Sequence, residues 1–430
     1  MKKSLGQRDL DVIWHPYSQM KNLPQPVAIT SGKGTLLFDE DGNAIIDAIS
    51  SWWVNIHGHS HPHIQSVISE QLGTLEHVIF AGFTHKPAVE LSERLLEILP
   101  SNQKKTFYSD NGSTAVEVAI KMTFQFWKNK NSKRNKLIAF KGSYHGDTFG
   151  AMSVSERGAF TKPFWPYLFD ITFIEPPTPG NEETSINELN SALAGKDTAG
   201  FIYEPLIQGA SGMIMHSPEA LSALLEICKK NGVICIADEV MTGFGRTGAL
   251  FASEFLSEEP DIMCFSKGLT GGVLPMGMTS CTSEIFDSFL SDDKSKTLFH
   301  GHSFTGNPIG CAAGLASLDL LLTSESKTGR EFISESHLKF IETELIPGEF
   351  PIKNVRKQGT IMAFEIATDE STSYFNKIRD NAYDYFLERG VLLRPLGNVI
   401  YILPPYCIKK AELQKIYGVI IAFLTSLKSN

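Results

Sequence analysis

Two ionisable side chains stand directly after short apolar runs. Asp238 follows Gly232-Val-Ile-Cys-Ile-Ala237, and Lys267 follows Asp261-Ile-Met-Cys-Phe-Ser266 and precedes Gly-Leu-Thr-Gly-Gly. A carboxylate and an amine at the ends of buried strands both lose hydration, so each needs the other or a ligand. A buried structural ion pair meets that need as well as a reactive pair does.

A third candidate is Phe107-Tyr-Ser-Asp-Asn-Gly112-Ser113-Thr114, running from a strand end into an amphipathic helix predicted over Thr114–Trp127. Backbone N–H groups, the two hydroxyls and the helix dipole make such an N-terminus suited to a phosphate. A plain N-cap by the serine or threonine is the competing reading. A fourth is Gly142-Ser-Tyr144-His145-Gly146-Asp147-Thr148, again just past a strand, where Tyr144 is placed to lie on a planar ring. Together these parts describe a site for pyridoxal 5′-phosphate (PLP). Lys267 would form a Schiff base with the aldehyde, and Asp238 would keep the pyridine nitrogen protonated. Gly112 and Ser113 would hold the phosphate, and Tyr144 would cover the ring.

The elements that must position these residues alternate between strand and helix. Strands are predicted at Lys105–Tyr108, Lys136–Phe140, Ile171–Ile174, Gly200–Tyr203, Gly232–Ala237 and Asp261–Phe265, with helices such as Pro218–Lys230 between them. Strands apolar throughout and separated by helices imply an α/β fold with a mostly parallel sheet covered on both faces. Ligands of such sheets bind beyond the strands' carboxyl ends. Residues 34–50 predict a hairpin turning at Asp41-Gly42. From about residue 330 the pattern changes to a smaller α+β unit: a polar helix over Arg330–Leu345, a strand at Ile361–Ile366, a helix near Thr372–Arg389, then Gly390-Val-Leu-Leu-Arg394-Pro.

With 430 residues the chain is long enough for two or three domains, and 48 acidic against 39 basic side chains give a net charge of −9. No basic block offsets that charge, so a nucleic-acid or anionic-membrane partner is disfavoured. The apolar stretch Gly268–Ser283 is broken by four glycines and a proline, too interrupted to span a bilayer. Arg8, Asp9 and Asp11 interrupt any signal-peptide core, and the six cysteines form no C-x-x-C pair, so reduced thiols and a cytoplasmic location are expected.

The motifs resemble those of the fold-type-I, class-III PLP-dependent aminotransferases over nearly the whole chain. They are Ser109-Asp-Asn-Gly-Ser-Thr-Ala-Val-Glu117, Tyr144-His-Gly, Glu204-Pro-Leu-Ile-Gln-Gly, Ala237-Asp-Glu-Val-Met-Thr-Gly-Phe-Gly-Arg-Thr-Gly248 and Phe265-Ser-Lys-Gly-Leu269. The resemblance implies Lys267 as Schiff-base lysine and proton shuttle, with Asp238 on the pyridine nitrogen and Gly112 and Ser113 on the phosphate. It leaves the roles of Glu204 and Gln208 open. It also implies an N-terminal segment (1–60) serving the small domain and the active site, a large PLP-binding domain (61–320) and a C-terminal small domain (321–430).

Further runs are similar to the branch of that family that moves the amino group of S-adenosylmethionine onto 8-amino-7-oxononanoate. These are Trp14-His-Pro-Tyr17, Ser50-Ser-Trp52-Trp53, His300-Gly301-His-Ser-Phe and Arg394-Pro-Leu-Gly-Asn-Val-Ile-Tyr401. Tyr17, Trp52, Trp53 and Tyr144 suit a methylene chain and a sulfonium, and Arg394 a carboxylate. Core packing for the tryptophan pair and a surface ion pair for Arg394 are the alternatives. Gly301 stands beside the substrate by this resemblance. Where the family carries Pro-Thr, with the threonine on the phosphate across a homodimer, this chain has His302-Ser303, which keeps a hydroxyl. Both active sites would lie at the subunit interface. Some relatives take lysine as donor instead.

Two motifs point elsewhere. Gly243-Phe-Gly-Arg-Thr-Gly248 matches the dinucleotide fingerprint, with a helix possible over Ala249–Phe255, but it lies beyond Asp238 and Glu239 instead of directly after the strand. His57, His59, His61 and His63 alternate as metal ligands do, yet Gly58 and Pro62 break any strand that would align them, and no metal is expected. A non-catalytic binding protein would have no reason to collect Lys267, Asp238 and Gly112-Ser113 at strand ends.

Overall fold

The computed structural model describes residues 3–370, 372 and 374–428. In the strand Ile234–Asp238, Ile234 and Ile236 pack with Val116, Ala119 and Ile120 of the helix Gly112–Asn129, while Cys235 and Ala237 join the opposite core with Leu221 and Leu225. Because successive side chains leave a strand on opposite faces, an unbroken apolar run requires two covered faces, and the helices supply them.

The large sheet has seven strands in the order Gln103–Ser109, Gly277–Thr282, Ile262–Phe265, Ile234–Asp238, Thr198–Tyr203, Lys136–Phe140, Ile171–Ile174. The last five pair in parallel, and Gly277–Thr282 is antiparallel to both its neighbours. All six strands predicted for this sheet are present, within a few residues of their expected ends. The sequence pattern does not reveal Gly277–Thr282: one glycine, a serine and two threonines dilute its apolar signal, although Met278 and Cys281 are buried.

Two smaller sheets involve the C-terminal part of the chain. Ile352–Gln358, Ile361–Ile366 and Val399–Ile402 form an antiparallel three-stranded sheet. Ile29–Lys33, Leu36–Asp39 and Ala44–Asp47 form the other, joined by Val391–Leu392, which runs parallel to Ala44–Asp47. That pairing carries Trp52 and Arg394 past the same end of one sheet. Gly42 turns the hairpin at φ +82°, as Asp41-Gly42 implied.

Helix ends differ from expectation at three places. The polar helix starts at Ser324 and runs to Phe340, after which Ile341–Leu345 widens to a π-turn. The helix expected from Thr372 begins at Ile378, and Ser373 lies outside the described residues, as do Met1 and Lys2 at the head of the expected segment 1–60. Pro218–Lys230 ends where expected, capped by Ser217. Among the described residues no helix is long and apolar enough to cross a membrane.

Candidate active site

A cavity of about 440 Å³ opens at the carboxyl ends of Ile234–Asp238 and Ile262–Phe265, and its lining includes Gly112, Ser113, Tyr144, Glu204, Asp238 and Lys267. The sheet therefore brings together the whole predicted floor. Gly112 opens the helix Gly112–Asn129, whose N-cap is Asn111, not the serine or threonine of the competing reading. Asn111 Oδ1 accepts from Thr114 N at 3.0 Å, and Thr114 Oγ1 accepts from Asn111 N at 3.1 Å. The cap thus consumes Thr114 and leaves the N–H groups of Gly112 and Ser113, which no α-helix pairs internally, for a ligand. The Ser113 hydroxyl accepts from Asp147 N at 3.1 Å and keeps its own proton to donate. Gly146 permits this approach: at φ +133°, a Cβ there would stand 2.1 Å from Ser113 Oγ.

Asp238 is held from behind. His145 Nδ1 lies 2.6 Å from Asp238 Oδ2, and Oδ1 accepts from Val240 N at 3.0 Å. Both groups are buried. His145 stands in the Tyr144-His-Gly run, 93 positions before Asp238, and that spacing gives no hint of their contact.

Lys267 takes φ +43°, a left-handed conformation disfavoured for a residue with a side chain. Burial pulls its ammonium down to about 8, against the opposing pull of Asp238 and Glu204. A sizeable neutral fraction near neutral pH suits a nucleophile and base. Burial likewise lifts the Glu204 carboxyl to about 7, partly offset by His145. Glu204 accepts from Tyr144 N at 3.0 Å and from Gly209 N at 2.8 Å, so it anchors the tyrosine's backbone.

Of the predicted substrate residues, Tyr144 and Lys267 line the cavity, whereas Tyr17, Trp52 and Arg394 lie outside its lining and form a cluster, the mouth, tied to it through Tyr144, whose hydroxyl lies 3.2 Å from that of Tyr17. Tyr17 and Trp52 meet edge to face, ring centres 5.6 Å apart, and the Arg394 guanidinium lies 5.0 Å from the Trp52 ring centre. Arg394 forms no ion pair among the described residues. The Tyr144 hydroxyl donates to Asp147 Oδ2 at 3.0 Å, and Tyr17 donates to the same oxygen. Asp147 is a second residue the sequence left without a role. Burial, then the bond to Asp147, pushes the Tyr17 hydroxyl up to about 12, so it stays protonated.

The tryptophan pair divides. Trp53 is 5% exposed, as core packing would have it, yet its ring centre lies 4.8 Å below Lys267 Nζ; Trp52 is 39% exposed. Both sit in a turn whose four residues, Ser50–Trp53, have φ of 53°, 44°, 71° and 73°. Each non-glycine residue in that region costs about 1–2 kcal/mol. Gly301 and Ser303 are exposed and lie outside the cavity lining, while His302 Nε2 stands 3.2 Å from Asp110, a lining residue.

The remaining motifs are absorbed by the fold. Residues 243–248 form turns, the helix considered over Ala249–Phe255 reduces to a 3₁₀ turn at Ala252–Phe255, and Glu239 accepts from Thr242, Ala252 and Ser253. His57 pairs with Ser317, His59 with Asp47 and Asn55, His63 with Asp319, and His61 caps the helix Pro62–Thr74. Among the described residues no three possible ligands cluster for a metal. All six cysteines are free thiols, five of them buried.

The donor set fits PLP. A helix N-terminus with a hydroxyl suits its phosphate, a buried carboxylate its pyridine nitrogen, an amine of lowered basicity its aldehyde, and Tyr144 its ring.

Comparison with known proteins points the same way. The family model described as aminotransferase class-III matches residues 17–424. The adenosylmethionine-8-amino-7-oxononanoate aminotransferase of Synechococcus elongatus is 46% identical over 423 residues, covering 96% of this chain and 99% of that one. Its counterpart from Geobacter sulfurreducens is 40% identical, covering 96% and 95%. The crystal structure of the enzyme of that name from Methanocaldococcus jannaschii superposes with a TM-score of 0.91 at 36% identity over 98% of both chains. An amine transaminase from an uncultivated Pseudomonas species, solved in its PLP-bound form, gives 0.90 at 27% identity over 96% of this chain and 98% of that one.

Proposed function

Since the chain belongs to the class-III aminotransferases, we propose that it is the PLP-dependent enzyme that transfers the amino group of S-adenosylmethionine to 8-amino-7-oxononanoate, giving 7,8-diaminononanoate. The observation that supports the substrate reading is the cluster of Tyr17, Trp52 and Arg394, joined through Tyr144 to the cavity that Lys267 lines.

Bound PLP supplies an aldehyde that exchanges amines and an electron-withdrawing ring that acidifies the substrate Cα–H. Gly112 and Ser113 would hold its phosphate, Tyr144 its face and Asp238 its ring nitrogen. His145 and the Val240 N–H keep the Asp238 carboxyl group aimed at that nitrogen, where its charge would favour the protonated ring. Lys267, neutral at its amine for a useful fraction of the time, would take the proton from the donor's Cα and, in the second half of the reaction, would deliver one to the acceptor carbon that carried the keto oxygen. At the mouth, Arg394 has the planar fork that binds both oxygens of a carboxylate, which each substrate carries. The faces of Trp52 and Tyr17 accept a methylene chain or a sulfonium.

We also read the protein as a cytoplasmic homodimer with active sites at the interface. Ile79, Phe83, Phe299 and Phe304 are more than half exposed in the single chain, and Gly301 and Ser303 stand open between the last two in sequence. By this reading Ser303 reaches the phosphate of the partner site and His302 shapes its loop. Five buried thiols and no disulfide agree with a reducing compartment.

The test offers the purified protein 8-amino-7-oxononanoate with S-adenosylmethionine and then with lysine, measuring diaminononanoate. Product with S-adenosylmethionine is expected. Product with lysine alone overturns the donor, and no product with either moves the enzyme to another ω-amino substrate of its class.

A further inference from the structure

The left-handed turn that presents both tryptophans contains no glycine, so something must hold it. Its hydrogen bonds follow a helical pattern, Trp53 N to Ile49 O at 2.9 Å and Val54 N to Ser50 O at 3.0 Å, with Ser51 and Trp52 both in the left-handed well at ψ 55° and 47°. Its ends are tied elsewhere. Ser50 Oγ donates to Leu403 O at 2.8 Å, Arg246 Nη2 to Trp53 O at 3.3 Å and Trp53 Nε1 to Tyr401 Oη at 3.1 Å.

Among the described residues, one side chain hydrogen-bonds to the middle of the turn. Asp47, fully buried at the end of Ala44–Asp47, accepts through Oδ1 from Ile49 N at 3.2 Å and Ser51 N at 2.9 Å. Its Oδ2 accepts from Ser51 Oγ at 2.7 Å and faces His59 Nε2 at 3.0 Å. His59 is oriented in turn by Asn55 Nδ2, 3.0 Å from its Nδ1. A carboxylate that takes four donors in a buried setting can hold a backbone in a conformation it would otherwise leave.

We propose that Asp47, braced by His59, is a positioning residue for the substrate mouth: its carboxylate keeps Ser50–Trp53 left-handed and so aims Trp52 at Tyr17 and Arg394. The proposal rests on the mouth binding the substrate. Trp53 has three hydrogen bonds of its own, whereas the ring contacts of Trp52 among the described residues are with the half-exposed Tyr17 and the Arg394 guanidinium. Loss of the brace should therefore be felt in substrate binding more than in the chemical step.

The experiment compares the holoenzyme with Asp47→Ala and with Asp47→Ala/Ser51→Gly. Glycine adopts the left-handed region without penalty, so it should restore the turn without the carboxylate. Asp47→Ala should raise KM for 8-amino-7-oxononanoate about tenfold, the scale of one or two lost hydrogen bonds, with kcat within about threefold and the cofactor absorbance unchanged. Amide hydrogen exchange across residues 49–54 should quicken. In the double variant both KM and exchange should return at least halfway. If Asp47→Ala does not fold, Asp47→Asn, which keeps one acceptor, carries the same comparison with a smaller shift. A lowered melting temperature with unchanged KM, or no recovery on adding Ser51→Gly, overturns the proposal. Should the parent enzyme make no diaminononanoate with either donor, the function reading fails instead, and exchange at 49–54 still tests the brace.

Discussion

The floor and the mouth of the active site are built by different means. Of the floor residues, Asp238 ends one parallel strand and Lys267 follows its neighbour in the same sheet, Gly112 and Ser113 begin a helix packed on that sheet, and Asp238 is backed by buried His145. Mouth residues Tyr17, Trp52 and Arg394 come from three distant parts of the chain, are half-exposed, and touch through ring edges and a cation. Backbone pairing fixes the floor before any ligand arrives. The mouth is held by a strained turn and an edge strand. A family that keeps one chemistry and varies its substrates needs this division, because the mouth can be altered without disturbing the amine and carboxylate beneath it.

The hardest test of that division acts on the floor. Lys267→Ala removes both the amine that would hold PLP and the base that moves the substrate proton, so transamination should fall by several orders of magnitude, about what the loss of a coupled nucleophile and base produces. Borohydride should no longer fix PLP to the protein. Near-normal turnover would place the chemistry elsewhere. Asp238→Asn should follow with a smaller loss, on the order of a hundredfold or more in kcat, since the charge stabilising the ring nitrogen's proton is gone while shape is kept. His145→Ala should resemble a weakened Asp238→Asn in kcat, with KM unmoved; a change confined to KM would make His145 part of the mouth.

The lowered basicity of Lys267 gives the floor a pH signature. In protein stripped of PLP, recapture needs the neutral amine, so its rate should climb about tenfold per pH unit below 8 and level off above about 8. An unburied amine would keep climbing toward 10.5. Stability moves with it in a defined direction. The folded value lies below the unfolded one, so between about 8 and 10.5 the unfolded chain binds more protons, and this group's contribution is lost as pH falls through that window. A recapture profile still rising well past pH 9 would mean that Lys267 is not desolvated.

The same contrast separates what the sequence could tell from what it could not. Asp238 and Lys267 each close an apolar run, so strand periodicity and the carboxyl-end rule expose them together. His145 and Asp147 follow Tyr144 in sequence, but their partners Asp238 and Tyr17 lie far along the chain, and only the folded sheet makes those contacts. The Asn111 cap escaped because serine and threonine next to it cap equally well by type. Ser50–Trp53 gave no warning at all, since left-handed backbone is signalled by glycine and none is present. The strand Gly277–Thr282 was hidden by its own polar residues, Thr279, Ser280 and Thr282, which break the apolar run.

The mildest tests belong to the mouth, where two neighbours should separate charge from contact. Arg394→Ala removes a bidentate partner for a carboxylate, a contact on the order of 1.5–3 kcal/mol, so KM for 8-amino-7-oxononanoate should rise about ten- to hundredfold. The PLP spectrum should stay intact, because Arg394 lies outside the cavity lining. Added salt should narrow the gap between wild type and variant, as screening weakens the charge. Trp52→Ala also removes the ring beside Arg394, but what it chiefly loses is apolar area, so its KM should rise only several-fold with little salt dependence. In Arg394→Ala/Trp52→Ala the two effects should be less than additive, since each side chain orders the other. Strict additivity would show that ring and guanidinium act on separate parts of the substrate. Unchanged kinetics in Arg394→Ala would move the carboxylate away from this mouth and favour a substrate such as ornithine or 4-aminobutyrate.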